Sequence, residues 1–140
     1  MTGHVDPTRE RFAEFADLPR TGPIQMLNLV RLRGRAAYED GREATGLEAY
    51  STYGREAAPV FHRVGGRQVW IGKFEQTLIG PEDERWDLVF VAEYPSADAF
   101  IEMVRDPAYR EAVKHRQAAV EDSRLIRLSP RSPGGRFGEE

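Results

Sequence analysis

The sequence predicts an α+β domain: one antiparallel sheet of four strands with its helices on one face. Three observations carry this. The strand and helix patterns alternate as strand, helix, strand, strand, helix, strand. Two of the four strands are apolar on both sides, and the other two are flanked by charge. The 140-residue length suits a single domain.

The elements follow in chain order. Asp6 and Pro7 open a short helix over residues 7–17, with Asp6 as cap and Phe12 and Phe15 on one face. Pro19 and Gly22-Pro23 break it. Ile24 to Leu32 alternates as a strand, Met26, Val30 and Leu32 on one side and Leu27 and Leu29 on the other. The polar stretch 33–45 reads as a surface loop pinned by Tyr38. Thr45 and Glu48 have capping-box spacing, and Leu47, Tyr50, Gly54, Ala57, Phe61 and Val64 form a helical stripe. Pro59 should kink this helix, and Gly65-Gly66 should end it. Val69 to Phe74 is the second strand and Trp86 to Tyr94 the third. In the third, Leu88, Phe90 and Ala92 lie opposite Val89 and Val91. Ser96 caps a helix from Ala97 to Arg105. Asp106-Pro107 starts another that runs to Val120, and Leu125 to Leu128 closes the sheet.

This order is the ferredoxin-like βαββαβ pattern. Right-handed crossovers then put the helices on one sheet face, with the first and third strands central. Those are the two most apolar strands, as central strands should be, while the charged second and fourth suit edges. The predicted layout is an N-terminal helical extension (1–23), the α+β domain (24–129) and a loose tail (130–140). One face of the sheet is left without helices, yet the central strands are apolar there too. A lone subunit would expose that patch. The expected cover is a second copy, giving a homodimer whose sheets close into an α+β barrel. The competing cover is the N-terminal helix or the 33–45 loop.

Composition removes several classes of function. Lys+Arg 20 against Asp+Glu 23 gives a net charge of -3, which disfavours nucleic acid as a partner. With Cys 0, disulfides and thiolate sites are excluded. No signal-peptide core or membrane-length apolar run is present, so a cytoplasmic protein without membrane contact is expected. The histidines lack metal-ligand spacing, and no phosphate-cradling glycine loop or nucleophile elbow occurs, so neither metal nor cofactor is expected.

A resemblance adds to this reading. Gly46-Leu47-Glu48-Ala49-Tyr50, Ala58-Pro59, Val64-Gly65-Gly66-Arg67, Glu93-Tyr94-Pro95-Ser96, Asp106-Pro107-Ala108-Tyr109-Arg110 and Asp122-Ser123-Arg124-Leu125 together resemble the domain of unknown function 1330 family, over roughly residues 24–129. The resemblance implies the dimeric α+β barrel fold. It also implies a cavity in each subunit suited to cofactor-independent oxygenase- or isomerase-like chemistry on a hydrophobic or aromatic substrate.

The candidate ligand-binding residues are Asn28, Arg67, Trp70, Phe90, Arg116 and Asp122; the candidate proton carriers are His62 and His115. Arg116 stands in the apolar stripe of the last helix (Tyr109, Ala112, Val113, Ala119, Val120). It needs a carboxylate or carbonyl partner, with Asp122 and Glu93 in reach, and so reads either as an anchor for an anionic ligand or as a structural pair. Asn28 is an amide in an apolar strand, Trp70 and Phe90 are strand aromatics, and the two histidines lie at stripe edges, where an imidazole can act near neutral pH. The alternative to an enzyme is a binding or structural dimer module whose interior is filled by side chains.

Overall fold

The computed structural model describes residues 3–131. The elements are α1 (Arg9–Asp17), β1 (Ile24–Leu32), α2 (Gly46–Arg63), β2 (Arg67–Gly72), β3 (Leu88–Tyr94), α3 (Ala97–Arg105), α4 (Pro107–Ala119) and β4 (Val120–Leu128). The sheet runs β2-β3-β1-β4, and every pairing is antiparallel. This is the ferredoxin-like α+β fold, with β1 and β3 central as their apolar sequences require.

Most boundaries follow the local chemistry. The Thr45–Glu48 capping box forms in both directions, Ser96 and Asp106 cap α3 and α4, and Gly65 takes φ 91 beyond the end of α2. Pro59 sits inside α2, which runs on to Arg63.

Five expectations need correction. Thr8, not Asp6, caps α1: its hydroxyl accepts from the Arg11 N–H, while the Asp6 carboxylate accepts from Gln117. The buried stripe of α2 is Gly46, Ala49, Ala57 and Val60, with Leu47 and Gly54 turned outward. Small residues win there because α2 packs closely on α4. β2 starts two residues earlier than its apolar run, since Arg67 and Gln68 already pair with Glu93 and Ala92. Trp86 precedes β3 and is buried in the connection before it. β4 is longer than its apolar segment, because the polar residues Glu121 to Arg124 pair with β1. The tail's residues 132–140 lie outside the described range.

Register assigns the faces. Ile24, Met26, Asn28 and Val30 pair with Tyr94, Ala92, Phe90 and Leu88 toward the helices. Gln25, Leu27, Leu29 and Arg31 point the other way, with Glu93, Val91, Val89, Trp70, Asp122, Arg124, Ile126 and Leu128. Neither alternative cover reaches this second face. Phe12 and Phe15 of α1 pack into the helix-side core, with Phe15 at 5.1 Å from Phe100. The 33–45 loop buries Ala36 on the same side.

Candidate functional site

The 33–45 loop is sewn down by backbone bonds. Arg33 N–H donates to Ala119 O and Ala37 N–H to Ala118 O, both at 2.8 Å, and Ala36 N–H donates to Ala44 O at 2.9 Å. These fix the loop across the end of α4 and return it to the start of α2. The Tyr38 hydroxyl thereby lies 2.6 Å from His115 Nδ1, the two rings meeting edge to face at 74°. On the far side of the imidazole, Nε2 is 3.4 Å from Glu56 Oε1. The His115 side chain is only 15% exposed. Gly41, at φ 77, turns the loop so that the Arg42 guanidinium lies 4.4 Å from the centre of the Tyr38 ring. Arg42 also grips Asp40 at 2.6 Å. That hydrogen-bonded pairing holds the exposed Asp40 carboxyl down at about 2.

Burial pushes the Tyr38 hydroxyl above its ordinary pKa, the Arg42 charge opposing and Glu56 and Asp40 adding to the rise. The phenol is therefore neutral near pH 7 and carries a proton that it can donate. The His115 ring stands between this phenol, at Nδ1, and the Glu56 carboxylate, at Nε2. Tyr38, Arg42, Thr52 and His115 help line a hollow of about 280 Å³ between the loop, α2 and α4. Carboxylate, imidazole and phenol in line beside a hollow can pass a proton in either direction.

The other sequence-predicted residues are dispersed. His62 is exposed in the last turn of α2, away from the Glu56 and Thr52 turns that face His115. Arg116 is a structural clasp: it donates to the backbone carbonyl of Val5 and, at 3.3 Å, to Ser123 Oγ. Neither Asp122 nor Glu93 is its partner, because residues 3–6 run beside β4 and supply a carbonyl first. Ser123 Oγ donates to His4 O at 2.7 Å, and the His4 N–H donates to Asp122 Oδ1 at 2.9 Å. Asp122 also takes Arg124 at 2.8 Å; burial raises its pKa, but these hydrogen bonds prevail and hold it below the usual carboxylate range.

Asn28 and Phe90 are neighbours on the helix side, where the Asn28 amide donates to Met26 O at 3.1 Å. Trp70 is on the opposite face, 52% exposed, and Arg67 pairs with Glu93 there at 2.8 Å. These residues therefore do not form one pocket. Between sheet and helices, Tyr53 and Tyr109 join their hydroxyls at 2.8 Å, and Tyr94 meets Phe61 and Phe100 edge to face. Burial pushes Tyr50, Tyr53, Tyr94 and Tyr109 upward. Among the described residues no cluster of His, Asp or Glu could hold a metal ion, and no helix is long and apolar enough to cross a membrane.

The model of the Domain of unknown function (DUF1330) matches residues 42–127. The chain belongs to this family. A protein of unknown function from Rhodopseudomonas palustris is 69% identical to this DUF1330 chain, covering 94% of it and 100% of its own length at a TM-score of 0.91. Its methylated form is 70% identical, covering 96% and 99% at 0.94. Two more distant structures share the fold. SnoaB from Streptomyces nogalater, a cofactor-independent oxygenase, is 19% identical, covering 83% and 100% at a TM-score of 0.50. A putative antibiotic biosynthesis monooxygenase from Caulobacter crescentus is 13% identical, covering 85% and 99% at 0.54. No curated protein matches the chain.

Sequence spacing pointed to His115 but missed Glu56 and Arg42, and it read Tyr38 only as a pin for the loop. These residues are scattered over 78 positions of chain, 38 to 115 inclusive, with no local motif to join them.

Proposed function

We propose that this DUF1330 protein is a cytoplasmic homodimer that binds a small polar or anionic molecule under the 33–45 loop and moves a proton on it, an isomerase-like activity independent of cofactors. The observation that carries this reading is the 2.6 Å contact of Tyr38 with His115 Nδ1 at the wall of a hollow, backed by Glu56. A substrate C–H or O–H proton passes to the Tyr38 oxygen as the phenolic proton passes to Nδ1. The resulting imidazolium faces the Glu56 carboxylate, Tyr38 stays a neutral phenol, and the negative charge left on the substrate is steadied by Arg42 in the wall of the hollow. Reversal of the relay returns the proton to a different substrate atom. The polar lining favours a polar substrate over the hydrophobic one that the resemblance implied.

The test is native mass spectrometry of the purified protein, followed by solvent deuterium incorporation into any molecule found. A co-purifying small molecule is expected, its exchange slowed about a hundredfold or more by Tyr38→Phe. No bound molecule, or unchanged exchange in that variant, would overturn the reading.

The dimer is supported by the helix-free face itself. Leu27, Leu29, Val89, Val91 and Ile126 form an apolar centre, with Gln25, Glu93 and Arg67 at one end and Arg31, Asp122 and Arg124 at the other. An apolar centre within a polar rim is the anatomy of a protein interface. Light scattering should give twice the 15.9 kDa chain mass, and Leu29→Asp should reduce it to one chain.

A second reading has its own observation. The tyrosines fill the space between sheet and helices, and Asn28 is turned onto its own strand. That favours a binding or structural dimer module over a reaction inside each subunit. In that case Tyr38→Phe and His115→Ala change the melting temperature and nothing else.

A further inference from the structure

Arg116 is a part-buried cation whose partners among the described residues are all neutral. Its guanidinium donates to the Val5 carbonyl and, at 3.3 Å, to Ser123 Oγ, and Ser123 Oγ donates in turn to the His4 carbonyl at 2.7 Å. The carboxylate of Asp122, next to Ser123 in the chain, is taken by Arg124 at 2.8 Å and by Arg31 at 3.7 Å. The Arg116 charge is felt in the interior: burial pushes the Tyr50, Tyr53 and Tyr109 hydroxyls up, and Arg116 draws each of them back down. A cation drawn out of water gains more from an anion than from a neutral carbonyl.

Residues 3–6 lie over this group as a strap. No backbone-to-backbone hydrogen bond joins them to the rest of the described residues. Their polar anchors are side chains: Asp122 accepts the His4 N–H at 2.9 Å, Ser123 and Arg116 hold the two carbonyls, and Gln117 reaches Asp6 at 3.3 Å. Gly3, His4 and Asp6 are exposed, and only Val5 is half-buried, against the Val30, Ala49 and Val120 cluster. Beneath them Asp122 is 8% and Ser123 6% exposed. α1 keeps its own cap, Thr8, so the strap can lift without unwinding it. The two strap carbonyls stand as the two oxygens of an oxyanion would, one on the guanidinium and one on the hydroxyl.

We infer that Arg116 and Ser123 form an oxyanion site, for a carboxylate or a phosphate group, and that residues 3–6 close it, the His4 and Val5 carbonyls occupying it until an anion displaces them. The site shares no residue with the Tyr38 hollow and does not depend on the dimer.

The test follows two signals of the full chain, amide exchange at His4 and proteinase K cleavage within residues 3–6. Both are measured in inorganic phosphate, in acetate and in chloride at equal pH and ionic strength. Phosphate or acetate should speed both about tenfold at saturation while chloride does not, and the oxyanion acting at the lower concentration names the preferred group. In Arg116→Met the strap is already loose, and neither oxyanion should add to it. Ser123→Ala keeps the cation and should need about tenfold more oxyanion for the same response. No response beyond that of chloride overturns the site. An equal response in Arg116→Met, or an unshifted one in Ser123→Ala, overturns the placement of the anion on these two side chains.

Discussion

The paired hydroxyls of Tyr53 and Tyr109 make a sharp test of how the interior is held. They join α2 to α4 at 2.8 Å, with the rings 6.0 Å apart and edge to face. Tyr53→Phe removes one hydroxyl and leaves the other without its partner among Phe61, Tyr94 and Phe100. A net hydrogen bond contributes about 1 kcal/mol, and a stranded buried hydroxyl costs about 1–3 kcal/mol. Each single Tyr→Phe change should therefore destabilise by about 1.5–2 kcal/mol. Changing both removes the stranded group along with the bond, so the double variant should lose about 1–2 kcal/mol rather than the sum. The coupling in this double-mutant cycle is then about 1–3 kcal/mol. Urea denaturation followed by circular dichroism measures all four proteins, and each single loss should lower the melting temperature by about 5 °C. Additive single effects with no coupling would refute the reasoning, because they would mean that each hydroxyl finds water or another partner.

Other consequences are as open to measurement. The buried tyrosines, with folded pKa values raised above the ordinary 10.0, give stability that is fully present below about pH 10 and is lost as pH climbs beyond it. Urea midpoints should stay flat up to pH 10 and then fall, and Tyr94→Phe should flatten that fall. Arg116→Met should free residues 3–6, read as faster amide exchange at His4 and Val5 and earlier proteolysis there, with slower exchange retained in the Ala57–Tyr94 core. Gly46→Ala drives a methyl into the Arg33 carbonyl, whose carbon stands 2.9 Å from the built Cβ. Backbone blocks it on that side, so a loss of about 2–3 kcal/mol in urea unfolding is expected, and no loss would show that the loop yields freely.

The fold was legible because its signals are local. Apolar alternation in Ile24–Leu32, the Thr45–Glu48 box, Ser96 and Asp106-Pro107 each state a strand or a helix start within a few residues. The misplaced boundaries lie where tertiary contact overrides local pattern. β4 extends through Glu121–Arg124 only because β1 is there to pair with it, and α2 buries Ala49 rather than Leu47 because α4 lies close. Arg116 was recognisable as a residue needing a partner, but the partner is a main-chain carbonyl 111 residues away, which no side-chain pattern announces. The Tyr38–His115–Glu56 alignment was hidden for the same reason: three elements supply one residue each. The helix-free face was readable, since a strand apolar on both sides says so in its own sequence.

The fastening of residues 3–6 works largely through main-chain atoms: the His4 N–H and carbonyl and the Val5 carbonyl. Side-chain identity at position 4 is thus free to drift among related chains without loosening the clasp, whereas Val5 also packs its side chain against the cluster of Val30, Ala49 and Val120. The receivers carry the constraint instead, namely Asp122, Ser123 and Arg116, together with Gly3, whose added methyl would strike the Glu121 carbonyl. An insertion or deletion of one residue here would do more harm than any substitution at 4 or 5, because it would slide every donor and acceptor out of phase.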